Sequence, residues 1–215
     1  MENNNYQMEM YKGYTIKIEV DTDPINPITD WDMLGTFACF HRRYDLSNTK
    51  QFNDADDLQD FLKENENISL PLYLYEHSGI TISCSNSSYP FNDRWDSGQV
   101  GIIFVTYENI KKEYNCKRIT KKIRETVLRV LEGEVKTFDQ YLTGEVFGFT
   151  IEDQNGDQID SCWGYYGYDS IKDIIEECKG TIDYDIERKE KEAIELKAKQ
   201  IYFYSCMSAM MQRKI

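Results

Sequence analysis

Few residues in this chain have the chemistry of an active site. There are two histidines among 215 residues, His41 and His77. His77 stands in "EHSG", Asp96 in "WDSGQVG" and Cys162 in "DSCWG". A histidine beside a thiol or carboxylate can activate a nucleophile or carry a proton. His77 with Cys162 or Asp96 is therefore the candidate catalytic set of a small hydrolase-like enzyme. The same residues also read as ordinary structure. Ser-Gly and Asp-Ser-Gly are turn formers, and a cysteine is a small residue suited to a core. The chain contains no GxSxG elbow, no GxGxxG or GxxxxGK[ST] phosphate loop, and no zinc-type spacing of its six cysteines. "EDQNGD" departs from the calcium-loop pattern and carries a hairpin-forming Asn-Gly instead. No metal and no cofactor is expected.

The other chemistry is charge. The formal net charge is −13. Acids concentrate in two blocks, 1–66 and 148–185, around a neutral middle, and 186–215 is mildly basic. Such a chain repels a phosphate backbone, so direct nucleic-acid binding is not expected. Its acids suit a basic protein surface, or serve only solubility. The candidate partner-binding residues are Asp54, Asp56, Asp57 and Asp60, then Glu152, Asp153, Asp157 and Asp160, then Glu176 and Glu177. One basic run, 111–125, reads as the solvated side of two helices. Toward the C-terminus, Leu196, Phe203, Met207 and Met210 recur at helical spacing. Methionine-rich stripes suit adaptable interfaces. This one predicts either packing on the chain's own sheet or homo-oligomer formation through the helix.

Periodicity predicts the strands and helices that carry these residues. Tyr14–Val20 and 34–41 read as strands, and 70–75 and 79–84 as two more joined at "EHSG". The continuous apolar run 100–106 predicts a central buried strand. Helices are expected at 53–65 (capped by Asp54 or Asp56), 107–114 and 119–131, with a further helical segment after Gly133. A hairpin at Asn155-Gly156 joins strands 146–153 and 158–163. A helix from 170 is expected to close at Gly180, and a long final helix to span 186–213. The fold class is α+β: a mainly antiparallel sheet with helices on one side and a long C-terminal helix. The expected division is a domain over 1–183 and a helix over 184–215. The polar N-terminus and unpaired cysteine spacing predict reduced thiols and a cytoplasmic protein, with no membrane span.

The blocks "LPLYLYEHSGITIS", "WDSGQVG", "DQYLTGEV" and "DSCWG", within roughly 66–170, resemble a family of small proteins encoded by bacteriophages and mobile elements, largely of Firmicutes and gut bacteria. The family has no settled activity, so no catalytic residue comes with the resemblance. What it implies is a setting, the bacterial host cell, where small acidic accessory proteins often block host defence. The expected function is an acidic inhibitor of a defence system, anti-CRISPR or anti-restriction in type. It would bind a basic, nucleic-acid-handling effector by nucleic-acid mimicry. The alternatives are the hydrolase-like enzyme and an oligomeric regulatory or structural phage protein.

Overall fold

A computed structural model describes residues 5–85 and 88–212, with the side chains of Asn5, Cys206 and 208–212 left aside. The architecture is α+β, with two antiparallel four-stranded sheets and a long C-terminal helix. The chain forms two compact units. Of the described residues, the first takes those within 1–19, 148–162 and 169–215, and the second those within 20–147 and 163–168.

In the second unit the strand order is β3 (Thr36–Cys39), β6 (Ser97–Thr106), β4 (Asn67–Glu76), β5 (Ile80–Cys84). Strand β4 alternates strictly, burying Ile68, Leu70, Leu72 and Leu74 on one face. Helix α4 (Lys121–Thr143) lies on that face through Val127, Leu131, Val135 and Phe138, and Ile28 of the short α1 (Pro27–Asp30) joins the same core. Helix α4 runs straight through Gly133, where a break was expected. A mid-helix glycine costs about 1 kcal/mol, and four buried side chains spread along α4 outweigh that. The opposite face is also covered. Leu58 of α2 (Ala55–Glu64) packs with Phe61 and Leu62 on Ala38 and Phe104. Helices thus flank this sheet on both sides rather than one, because β3 and β6 are apolar on both faces. Helix α3 (Tyr107–Glu113) follows β6 directly, capped by Thr106.

Two carboxylates of α4 tie the helix to backbone donors. Asp139 accepts the Ile82 N–H on edge strand β5 at 2.8 Å, and Glu134 accepts those of Leu34 and Gly35 at 2.7 and 2.9 Å. Using up an edge donor in this way also blunts the edge against stray pairing.

The other sheet has the order β1 (Asn5–Tyr11), β2 (Tyr14–Val20), β7 (Val146–Glu152), β8 (Gln158–Tyr166), most of it in the first unit. Strand β1 had no strong signal in its polar sequence. It forms because Lys12 and Gly13, both at positive φ, close a tight hairpin with β2. Helix α5 (Ser170–Gln212) is continuous. It does not close at Gly180, and the division expected near 183–186 falls inside it. Ile174 and Cys178 before Gly180, and Ile182 and Asp185 after it, are all buried, so one apolar face spans the glycine. Tyr14, Ile16, Ile18, Phe149 and Ile151 form the buried face of the sheet in the same unit.

Candidate functional site

A concave surface lies in the second unit. It is an open groove of about 830 Å³, lined among others by His41, Arg43, Tyr44, Glu76, Trp95 and Asp96. Three turns build it. "EHSG" is the β4–β5 turn: the His77 N–H donates to the Gly79 carbonyl at 3.1 Å, and Ser78 takes the left-handed conformation at φ 61°. "WDSGQVG" enters β6 beside the end of β4, with the Glu76 N–H donating to the Asp96 carbonyl at 2.8 Å. "HRRY" follows β3.

Glu76, on the last position of β4, is the hub of one wall. Its carboxylate pairs with the Arg43 guanidinium, accepts from the Tyr44 hydroxyl at 3.3 Å and lies 3.9 Å from His41 Nε2. The His41 ring stacks on Tyr44 with centroids 5.2 Å apart and planes 11° apart. Asp96 lines the groove, and its Oδ2 meets Nδ1 of His77, a neighbour of the lining residues Glu76 and Ser78, at 3.0 Å, both side chains being well exposed. An Asp that takes Nδ1 leaves Nε2 facing outward, as a general base requires. In an exposed pair the same contact stabilises by at most about 1 kcal/mol. Ser97 Oγ bonds the Asp93 carbonyl and sits 2.7 Å from the Tyr89 hydroxyl. Trp95 stands almost wholly in solvent at 97% exposure.

The structure therefore brings His77 and Asp96 together. Cys162 is an exposed residue of β8 in the first unit, whereas His77 belongs to the second. Among the described residues no group of three or more His, Cys, Asp or Glu side chains converges to hold a metal ion. His41, Arg43, Tyr44, Glu76 and Trp95 had not been singled out. The available signal was the run "HRRY" straight after a strand, with the only other histidine in it.

The acidic candidates divide by what already occupies them. Asp54 caps α2, accepting the N–H groups of Asp56 and Asp57 at 3.0 and 2.9 Å. Asp57 accepts from Asn53 at 2.8 Å, and Asp60 pairs with Lys63 at 2.8 Å. Asp56, Asp57, Asp60 and Glu64 are all exposed and share the outer face of α2. Positions four apart on that face repeat at about 6 Å along the axis. Glu152 is half-buried and paired with Lys17. Asp153 holds the β7–β8 turn through the N–H groups of Asn155 and Asp157 at 2.8 and 3.1 Å, and these bonds hold its carboxyl below the usual range. Asp157 and Asp160 are exposed, with Asp160 accepting its neighbour Ser161's N–H at 2.8 Å. Glu176 pairs with Lys179 at 3.3 Å, and Glu177 is exposed beside it. Lys121, Lys122 and Arg124 of the basic run are solvent-facing.

Leu196, Phe203 and Met207 are exposed on α5, while the side chain of Met210 lies outside the described residues. Among the described residues no helix is long and apolar enough to cross a membrane. No family model, curated protein or solved structure matches the chain.

Proposed function

We propose that the protein is an acidic inhibitor that binds a basic, nucleic-acid-handling effector of a bacterial defence system. This is the setting that the resemblance to phage and mobile-element proteins implies. The observation that supports the reading is the outer face of α2. Asp56, Asp57, Asp60 and Glu64 present a row of carboxylates on a rigid helix anchored by buried Leu58. Asp56 and Asp57, in the first turn, also complement the helix dipole, whereas Glu64 at the last turn does not. Such a row attracts Lys and Arg of a phosphate-binding groove, raising the on-rate in a salt-dependent way. Glu152 and Asp153 contribute less to this reading, since both are half-buried as well as engaged by an ion pair and a turn, whereas Asp60, though paired with Lys63, is exposed.

The test is affinity capture from a bacterial host lysate at low and high salt, read by mass spectrometry. The wild-type chain should enrich a basic nucleic-acid-binding protein, and Asp56→Lys with Asp60→Lys and Glu64→Lys should lose it. Capture that survives both roughly 0.5 M salt, where screening acts within a few ångström, and the triple reversal would sink the mimicry.

The His77–Asp96 pair at the groove supports a second reading, a small hydrolase-like enzyme. It requires that His77→Gln abolish any hydrolysis found in a screen of ester and phosphoester substrates while leaving the melting temperature unchanged.

A further inference from the structure

The second half of α5 asks for a partner, and its own sequence says which kind. Beyond residue 186 the described side chains of this helix are exposed on every side. Leu196 is 58% exposed, Phe203 60% and Met207 41%. At about 100° per residue, Ala193, Leu196, Gln200, Phe203 and Met207 fall within about 60° of one line along the helix. Ile171, Ile174, Ile175, Cys178, Ile182 and Asp185, the buried positions of the first half, fall on that same line. A single face thus packs inside the unit as far as Asp185 and then continues bare. The continuing positions follow a heptad rhythm, with Ala193, Gln200 and Met207 at one seam position and Leu196 and Phe203 at the other.

We infer that this face pairs with its counterpart on a second copy of the chain, forming a parallel, in-register two-stranded coiled coil over about 193–210. Charge selects that occupant. The whole chain carries −13, which drives two copies apart, but 193–210 holds one acid and two bases. Two copies meeting here add little repulsion, and a basic effector gains no acidic surface to bind. In a parallel pair Glu192 flanks the seam opposite Lys197 of the other copy, the attractive cross-strand spacing of a coiled coil. Gln200 faces Gln200 in the parallel register, where the two amides hydrogen-bond and hold the alignment at some cost in affinity. Ile194 and Ile201 lie well round from the seam and stay outside it. The pairing stands apart from the proposed inhibitor role and fails or holds on its own measurement.

Sedimentation equilibrium of the full chain tests it. At about 100 μM the mass should reach twice the 25.4 kDa of one chain. Leu196→Asp with Phe203→Asp should return it to the single-chain mass. Gln200→Leu should tighten association by about tenfold or more, an outcome that misfolding cannot produce. Glu192→Lys should weaken the dimer, and adding Lys197→Glu should restore it. A single-chain mass at that concentration, a trimer or larger, a dimer indifferent to Leu196→Asp with Phe203→Asp, or a charge swap without rescue would each overturn the inference.

Discussion

Asp139 gives a prediction whose sign and size both come from the structure. Burial pushes its carboxyl up to about 6, with Glu145 adding to the effect and the hydrogen bond from Ile82 opposing it. An unfolded aspartate titrates near 3.9, so the folded state binds the proton more tightly. Stability from this group is therefore fully present at low pH and is lost as pH rises from about 4 through about 6. A shift of about 2 units corresponds to about 3 kcal/mol, and about half of that falls between pH 5 and pH 8. Asp139→Asn keeps an oxygen to accept the Ile82 N–H and removes the charge. The variant should therefore gain on wild type by about 1.4 kcal/mol between pH 5 and pH 8. Urea denaturation of both proteins at the two pH values, followed by tryptophan fluorescence, measures this difference. A difference that stays flat with pH, or moves toward wild type, would refute the burial argument.

Two further predictions test the packing. Asp185 is buried in the first unit and accepts from the Tyr14 hydroxyl and Lys189, each at 2.8 Å, and from Arg188. Burial alone would raise its carboxyl, but Lys189, Arg188 and Tyr14 together hold it at about 2, so its stabilisation is present above about 4 and is lost as pH falls toward about 2. Asp185→Ala should cost about 3 kcal/mol in urea titrations at pH 7, and Tyr14→Phe about 1, with equal small losses contradicting the hub. Gly101 lies in β6 beside β3, where an added Cβ would strike the Ala38 carbonyl and sit 2.7 Å from Cys39 Cα. Gly101→Ala should cost about 2–4 kcal/mol, whereas Gly133→Ala on α4, with nothing within 4 Å, should add about 0.5–1 kcal/mol.

The features legible in the sequence alone were local. Alternation placed β2 and β4, the run "VGIIFVT" placed the centre of β6, Asp54 marked the start of α2, and Asn155-Gly156 closed the β7–β8 hairpin. Each depends on periodicity or backbone preference within a few residues, so each is legible in one segment. Gly133 and Gly180 misled for the same reason. A glycine weakens a helix by a local amount, while the burial that carries the helix past it comes from strands far along the chain. The division into two sheets, the covering of both faces of one by α2 and α4, and the strand β1 were decided only by which apolar faces found each other. So was the groove. Nothing in "HRRY", "EHSG" or "WDSGQVG" alone says that Glu76 gathers His41, Arg43 and Tyr44, or that His77 meets Asp96. Strand pairing brings those three turns to one end of the sheet, and pairing is a property of the fold rather than of any segment. The acids show the converse limit. Composition gave their number, but only the structure separates Asp54 and Asp153, used in a cap and a turn, from the exposed acids on the outer face of α2.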